Sequence, residues 1–232
     1  IGIEALSRPH ESYGFTGPAE AFHVAAQAGA VHELDELCAS SALAAAADNA
    51  QAGDAALFLN VAPKTLELDA GQSDWLLTAV DAAGLAPERV VIEVTEQLGS
   101  RVASVVKSLE ALRAHGFKLA LDDVGTGNAG LEMLRKVDAD FVKIDRSIVS
   151  AAPTEPNARA VLLAMATFAR QTGAFVIAEG IEDEETLAFL RSIDERDFQP
   201  GSIIQGGQGF ELGRPAADIP AVPAAHWLRS SD

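Results

Sequence analysis

The stretch VVIEVTEQLGSRVASVVKSLEALRAHGFKLALDD, residues 90–123, contains the pattern that decides the fold. Its two ends, Val90–Val94 and Lys118–Asp122, are short aliphatic runs that predict strands buried on both faces. Between them, Ser100–His115 predicts a helix with one apolar stripe, and Gly116 follows as its end signal. The stripe consists of Val102, Val105, Val106, Leu109 and Leu112. The segment therefore predicts two parallel strands joined by a helix.

The same alternation of strand and helix patterns continues along almost the whole chain. The predicted strands are Ile1–Leu6, Ala55–Val61, Val90–Val94, Lys118–Asp122, Asp140–Ile144, Phe175–Ala178 and Ser202–Gln205. Helical patterns such as Val31–Ala47 and Asn157–Thr172 lie between them. This order implies parallel strands with crossover connections, in either a doubly wound sheet or a (β/α) barrel. Seven strands in one domain favour the barrel, with an eighth strand expected upstream of Ile1.

The predicted fold class is therefore α/β, a (β/α)8 TIM-like barrel formed as a single domain over residues 1–232. Such barrels typically need roughly 250 residues. Residues 215–232 are expected to form a C-terminal arm or a final helix. Because the sequence begins at Ile1 without Met, we expect it to be a fragment of a longer protein.

The composition is that of a folded, acidic protein. Apolar residues make up 48% of the chain, and no run approaches the roughly 18 apolar residues of a membrane span. The single cysteine, Cys38, excludes an internal disulfide and fits a reducing cytoplasm, where we expect the protein to act. The formal net charge of −17 disfavours binding to DNA or RNA. This acidity has two interpretations, a bound divalent cation or solubility alone.

A polar or ionisable side chain stands at or just after the carboxyl end of each predicted strand. In chain order these are Glu4, Asn60, Glu93, Asp122 with Asp123, Lys143 with Asp145, Glu179, and a glutamine within Gln205–Gln208. The carboxyl ends of barrel strands meet on one face, where barrel enzymes carry their chemistry. One such carboxylate alone is more often a solvated or helix-capping group. A polar or ionisable side chain at the end of every predicted strand indicates a shared site.

The types of side chain in this set indicate which ligand the site would bind. Carboxylates with one amide, and no cysteine or histidine cluster, are typical ligands of Mg²⁺ or Mn²⁺. The adjacent Asp122 and Asp123 suit one carboxylate that bridges two ions beside one that binds a single ion. Two ions about 3.5–4 Å apart activate a water and stabilise the attacking and leaving oxygens of a phosphoryl transfer. The five histidines lack ligand spacing and are interpreted as surface or structural residues.

Seven short motifs span residues 4–215 in a fixed order. They are Glu4-Ala5-Leu6 with Arg8, Phe58-Leu59-Asn60-Val61, Ile92-Glu93-Val94-Thr95-Glu96, Leu121-Asp122-Asp123-Val124-Gly125-Thr126-Gly127, Val142-Lys143-Ile144-Asp145, Ile177-Ala178-Glu179-Gly180-Ile181-Glu182, and Gln208-Gly209-Phe210 through Gly213-Arg214-Pro215. In content and order they resemble the motifs of EAL domains, the phosphodiesterases of the bacterial second messenger cyclic di-GMP. The resemblance implies an enzyme that hydrolyses cyclic di-GMP to linear pGpG by a two-metal mechanism with Mg²⁺ or Mn²⁺.

The resemblance also implies a role for each matching residue. The implied metal ligands are Glu4, Asn60, Glu93, Asp122, Asp123 and Glu179. Lys143 would hold or deprotonate the attacking water, and Glu179 would complete the environment of the metals and that water. Glu96 is implied to hold the loop after Asp123 in place, which groups it with the catalytic residues.

Four further residues are implied to contact or orient the substrate. Arg8 would contact a phosphate and supply a cation that an acidic protein otherwise lacks. Asp145 would support the lysine and bind guanine or the ion shell, and Glu182 would support one wall of the site. Gln208 would orient the site near the nucleophile, with Gln205 as the alternative for that place.

The chain departs from the family at its start and in one loop. The YQPI-like strand that usually precedes the EAL strand is absent, and Asn128-Ala129-Gly130 stands where Tyr-Ser-Ser is commoner. The altered loop weakens the expectation of a homodimer through the following helix, Leu131–Val137, a surface that the family often uses. EAL domains commonly follow sensory or cyclase domains, so a regulatory domain upstream is expected. The chain would then be cytoplasmic, or the cytoplasmic part of a membrane-anchored protein.

Two other functions remain open at this point. The first is a catalytically weak receptor that binds cyclic di-GMP and signals through a partner. Family members of that kind typically lack metal ligands, whereas this chain retains them. The second uses Lys143 as the Schiff-base lysine of an aldolase-like barrel. That function leaves the carboxylates unexplained, and borohydride trapping with a carbonyl substrate would distinguish it from the others.

Overall fold

The computed structural model of the protein describes residues 2–49, 55–69, 74–95, 101–125, 130–197 and 204–216. Within these residues, seven strands form one sheet in which spatial order follows chain order. The strands are β1 (Gly2–Ala5), β2 (Ala56–Asn60), β3 (Val90–Thr95), β4 (Lys118–Val124), β5 (Phe141–Ile144), β6 (Phe175–Ala178) and β7 (Gly206–Gly207). Each strand pairs in parallel with the next. The predicted α/β class and TIM-like architecture are confirmed, and the eighth strand stays a prediction.

Helices occupy the connections between the strands, as a parallel sheet requires. They are α1 (Pro18–Ala28), α2 (Val31–Ala47), α3 (Pro63–Asp69), α4 (Asp74–Ala82), α5 (Val102–Ala114), α6 (Gly130–Lys136), α7 (Arg146–Ala151), α8 (Pro156–Thr172) and α9 (Glu184–Asp197). The predicted helices at Val31–Ala47, Asn157–Thr172 and Ser100–His115 correspond to α2, α8 and α5, and Ser100 lies outside the described residues. None of the helices described combines the length and the apolar character that crossing a membrane requires.

The last strand was predicted wrongly. The prediction was Ser202–Gln205, but β7 consists of Gly206–Gly207, and Ser202 lies outside the described residues. Strand patterns are recognised by β-branched and aromatic residues, and glycine is depleted in strands. Here a close approach requires glycine, because a Cβ on Gly206 would lie 2.8 Å from the ring of Phe175. Tertiary packing therefore overrides the local preference for strand-forming residues.

The inward face of the sheet carries an apolar layer below a polar one. The apolar layer consists of Phe58, Val91, Ala120 and Ile177, packed with Ala56, Phe141 and Phe175. Two positions after five of these residues, toward the carboxyl end of each strand, stand Asn60, Glu93, Asp122, Lys143 and Glu179. Residues i and i+2 of a strand face the same side of a sheet. The polar residues therefore share a floor of apolar side chains.

The sheet curls until its first and last strands meet at their carboxyl ends. Gln208, directly after β7, donates its Nε2 hydrogen to Oε2 of Glu4 in β1 over 2.6 Å. The opposite face of the sheet packs against the helices and builds the main core, in which Ile92 and Ile144 are 0% exposed. The curl thus brings polar residues from distant parts of the sequence to one rim.

Candidate active site

Lys143 lies at the centre of the polar layer, with four carboxylates around its ammonium group. Its Nζ atom is 2.7 Å from Glu179 Oε1 and 2.8 Å from Glu93 Oε1. It is 3.1 Å from Asp122 Oδ1 and 3.4 Å from Glu4 Oε2. The lysine side chain is only 2% exposed, so these ion pairs are shielded from water. We refer to the four carboxylates as the carboxylate ring.

Two amide side chains connect members of the carboxylate ring. Asn60 Nδ2 donates to Glu4 Oε1 at 3.0 Å and to Glu93 Oε2 at 3.2 Å. Gln208 donates to the second oxygen of Glu4. Gln205 is used elsewhere, because its Oε1 accepts the Val176 backbone N–H at 2.7 Å within the sheet. Of the two glutamines considered from the sequence, Gln208 is therefore the one at the site.

Asp122 and Asp123 reach the same site because strand β4 is irregular there. Adjacent residues of a regular strand face opposite sides of the sheet. The register between β4 and β5 shifts between Leu121 and Val124, and Asp123 has a left-handed φ of 54°. Carboxylate oxygens of Asp122, Asp123 and Glu179 lie within 4.8 Å of one another. An irregularity of the bulge type thus brings adjacent carboxylates to one point.

Burial and crowding shift the proton affinities of these groups. Burial raises the pKa of Glu93 to about 8 although Lys143 opposes the shift, and burial likewise raises the pKa of Glu179 to about 7. Burial alone would lower the pKa of Lys143, but the four surrounding carboxylates outweigh it and raise that pKa above its ordinary value. The pKa of Glu4 is lowered, because Lys143 and three hydrogen bonds outweigh its burial. At neutral pH the lysine is therefore a fixed cation.

The donor set fits a hard divalent cation. The carboxylates and the amide offer only oxygen donors for such an ion, and a cluster within 4.8 Å is compact enough for shared ligation. Oxygens Glu93 Oε1 and Asp122 Oδ1 are buried, and the partner that the described residues give each of them is the Lys143 ammonium, at 2.8 Å and 3.1 Å. Asn60 directs its NH₂ group toward the glutamates, so it would turn its amide to offer Oδ1 to a cation.

We expect Mn²⁺ to raise the melting temperature of the chelator-treated protein. A cation that binds the folded ring and not the unfolded chain stabilises the fold, by about 2.7 kcal/mol at 100 times its dissociation constant. Differential scanning fluorimetry in EDTA, and then in excess Mn²⁺, measures the shift. Glu132→Gln is the matched control, because it removes an exposed carboxylate that pairs with Lys136 and not with Lys143. Melting temperatures that do not respond to Mn²⁺ would contradict a metal site.

Two of the predicted site residues have partners outside the carboxylate ring, and a third lies outside the described residues. Glu182 pairs with Arg146 through Oε1 and Nη1 at 2.8 Å. Asp145 caps helix α7, where its Oδ1 accepts the Ser147 backbone N–H at 2.8 Å. Glu96 lies outside the described residues. The described contacts give Glu182 and Asp145 structural partners, and the substrate roles expected of them stay predictions.

An open cleft borders the site at Asn60 and is lined on its other side by residues of helices α1 and α2. Its volume is about 160 Å³. Its walls include Leu6, Arg8, Phe22, Cys38 and Asn60. Asn60 belongs both to the cleft and to the hydrogen-bond network of the carboxylate ring, so Arg8 stands in a cleft that touches the site at this one residue. A guanidinium there is suited to a phosphate oxygen pair.

Asp35 is a buried carboxylate that the sequence analysis missed. It lies in α2, is 2% exposed, and accepts hydrogen bonds from the Ala62 backbone N–H at 3.0 Å and from the Thr65 hydroxyl. A signal was present in the sequence, because buried apolar residues recur every fourth position on this side of the helix. They are Val31, Ala39 and Leu43. Asp35 occupies the one position of that series that an apolar residue would normally fill.

The fold and the site together define a class of protein: a TIM-like α/β barrel with an acidic, lysine-centred site at the carboxyl ends of its strands. Residues 1–203 match the EAL domain family. The chain belongs to that family, and the resemblance of its motifs is confirmed.

Curated relatives support the assignment over nearly the full chain. The chain is 32% identical over 233 residues to the cyclic di-GMP phosphodiesterase NbdA of Pseudomonas aeruginosa, covering 98% of the chain and 28% of that protein. It is 31% identical over 236 residues to an uncharacterized signaling protein of Caulobacter vibrioides, covering 100% of the chain and 27% of that protein. The chain thus spans little more than a quarter of the length of these two relatives.

Solved structures resemble the fold closely. Klebsiella pneumoniae BlrP1, in complexes of cyclic di-GMP with calcium or manganese, has a TM-score of 0.79 and 31% identity, over 92% of this chain and 51% of that one. The PaMucR phosphodiesterase in complex with c-di-GMP has a TM-score of 0.78 and 28% identity, over 93% of this chain and 85% of that one. Two of its relatives were therefore solved with the same cyclic dinucleotide.

Proposed function

We propose that this EAL domain hydrolyses cyclic di-GMP to linear pGpG in a reaction that depends on Mg²⁺ or Mn²⁺. One observation carries the proposal: Lys143 Nζ lies within 3.4 Å of four carboxylates on four different strands or strand ends. Such a site suits a phosphate diester, which needs both cations and a positioned water. The relatives named as phosphodiesterases and the structures solved with cyclic di-GMP support the choice of substrate.

The proposed ligands are the oxygen donors that converge around Lys143 and at the β4 irregularity. They are Glu4, Asn60, Glu93, Asp122, Asp123 and Glu179. Two bound ions would supply an acidified water and neutralise charge on the phosphate. Because its pKa is raised, Lys143 donates hydrogen bonds and holds the water rather than accepting its proton. Glu179, whose Oε1 lies 2.7 Å from Lys143 Nζ, would complete the environment of the metals and of that water.

The identity of the product specifies which bond breaks. The water oxygen bonds to phosphorus, and the P–O3′ ester bond breaks so that the phosphate stays on the 5′ side, as in pGpG. The leaving 3′ oxygen takes a proton and becomes a hydroxyl. Arg8, on the cleft wall, would bind a nonbridging phosphate oxygen, and Gln208 would hold Glu4 in place beside the reacting group.

The environment of Lys143 disfavours the aldolase-like alternative. A Schiff-base lysine must be neutral to attack a carbonyl. The surrounding carboxylates raise the pKa of Lys143 and keep it charged. They also leave no apolar pocket around Nζ of the kind that activates such lysines. The ring is therefore better suited to cations and phosphate than to amine catalysis.

Product analysis tests the proposed function. Purified protein is incubated with cyclic di-GMP in Mn²⁺ or Mg²⁺, or in EDTA, and the nucleotides are separated by chromatography. We expect linear pGpG with either cation, none in EDTA, and none from Asp122→Asn. Calorimetry on the same samples distinguishes the receptor alternative: binding of cyclic di-GMP without any product in either cation would contradict the proposal and favour a receptor.

A further inference from the structure

Asp35 is a buried carboxylate that lies outside the carboxylate ring. It interrupts the apolar side of α2 and is only 2% exposed. Its Oδ1 atom is buried and accepts no hydrogen bond from the described residues. A buried carboxylate oxygen without a hydrogen bond lowers the stability of the fold. The presence of Asp35 at this buried position is therefore to be explained by the two hydrogen bonds that its other oxygen accepts.

Both hydrogen bonds of Asp35 are made to the turn that follows strand β2. Oδ2 accepts the Ala62 backbone N–H at 3.0 Å and the hydroxyl of Thr65 in the first turn of α3. Ala62 directly precedes α3 and has no side-chain acceptor of its own to cap that helix. Asp35, from the neighbouring helix, instead accepts the N–H of Ala62 itself and so anchors the residue directly before α3. It thereby fixes where the chain leaves the sheet.

The residue immediately before this turn is part of the site. Asn60 is the last residue of β2, and its Nδ2 contacts Glu4 and Glu93. On its carboxyl side, the Val61 N–H bonds to the Glu93 carbonyl at 3.0 Å. The next residue, Ala62, is held through its N–H by Asp35. Asn60 is therefore held between the sheet and the turn that Asp35 anchors.

We propose that Asp35 is a positioning residue, which holds the turn after β2 so that Asn60 presents its amide to the carboxylate ring. The inference rests on the proposed function, in which Asn60 ligates a divalent cation. Asp35 touches neither the ring nor a cation; it acts through the backbone of Ala62. Outer residues that orient a ligand in this way typically change metal affinity by about 10–100-fold when removed.

The experiment compares Mn²⁺ affinity, measured by calorimetry without cyclic di-GMP, among three variants. Asp35→Ala removes both hydrogen bonds, and we expect Mn²⁺ to bind about 10-fold more weakly. Asp35→Asn retains an acceptor oxygen and is expected to restore most of that affinity. Ser108→Ala is the matched control: Ser108 is buried and donates to the Leu66 carbonyl on the far side of the same helix α3, at 2.7 Å. It should lower the melting temperature without weakening Mn²⁺ binding.

Two results would overturn the inference. One is an Asp35→Ala protein that binds Mn²⁺ with wild-type affinity. The other is a Ser108→Ala protein whose Mn²⁺ affinity falls as much as that of Asp35→Ala. If Asp35→Ala does not fold, Asp35→Leu removes the same hydrogen bond to the Ala62 N–H while filling the buried position with an apolar side chain of similar size, and a wild-type affinity there overturns the inference equally. The proposed function fails separately, when the wild-type protein binds Mn²⁺ but yields no pGpG. A wild-type protein that binds no Mn²⁺ contradicts both proposals.

Discussion

Lys143→Met is expected to lower kcat by about 10²–10³-fold with little change in KM, the range for loss of a positioned hydrogen-bond donor that acts in the transition state. Met keeps the apolar stem of the side chain and removes the ammonium that contacts four carboxylates. If the ammonium holds the attacking water mainly in the transition state, substrate binding is largely retained. Steady-state kinetics in Mn²⁺ measures both constants. A raised KM with unchanged kcat would make Lys143 a phosphate-binding residue instead.

The same variant should also be destabilised when chelator is present. Removing one partner of a buried ion pair costs about 3–5 kcal/mol, and Lys143 is the only cation in contact with the ring among the described residues. Added Mn²⁺ should replace the lost positive charge, so its stabilising effect should exceed that in the wild type. Lys136→Met is the matched control, because the Lys136–Glu132 pair is exposed and worth at most about 1 kcal/mol. Equal melting temperatures of Lys143→Met and wild type in EDTA would contradict this account.

Glu93→Gln is expected to have the opposite effect on stability while also abolishing hydrolysis. Glu93 is 1% exposed, and burial raises its pKa to about 8. In the wild type, the folded protein holds this proton more tightly than the unfolded chain does. That contribution to stability is present at low pH and is lost as pH rises through about 8. Gln cannot ionise, so the variant keeps its stability where the wild type loses it.

Denaturant titrations in EDTA between pH 6 and 9 test the direction in which the stability of Glu93→Gln, relative to wild type, changes with pH. The stability difference between Glu93→Gln and wild type should grow in favour of the variant as pH rises from 6 toward about 8, and should level off above that pH, where Glu93 is ionised in both the folded and the unfolded state. In Mn²⁺, the variant should show a smaller rise in melting temperature and no measurable product, because it lacks a ligand carboxylate. Glu132→Gln, which changes an exposed carboxylate, should show no such growth. A wild-type protein that gains stability relative to Glu93→Gln between pH 6 and 8 would contradict the burial argument.

Much of the site was accessible from sequence because each residue lies at the carboxyl end of its own strand. Glu93 and Asp122 follow buried apolar residues by two positions, and this local period specifies which face they share. The resemblance of the ordered motifs to EAL domains implied a functional role for each residue, which the two-residue alternation along a strand does not. Parallel strands in chain order then required the ends to meet on one side of the sheet.

Other features depended on packing that no local pattern encodes. Asp123 joins the site only because β4 changes register against β5, a cross-strand event. Gly206 forms a strand against its propensity because of the Phe175 ring. The cap that Asp145 provides to helix α7 is different, because it joins residues only two positions apart and is therefore a local feature.

The sequence by itself determined the strand–helix alternation, the polar residue at each strand end and the membership of the EAL family. Only the tertiary structure decided that Lys143 sits inside a ring of four carboxylates, that Gln208 rather than Gln205 contacts Glu4, and that Asp35 anchors the turn after Asn60. The physical reason is the separation along the chain between the residues that interact. Side-chain direction along a strand follows from the nearest neighbours in the chain, whereas contacts between residues 27 or 204 positions apart depend on how the sheet curls and the helices pack.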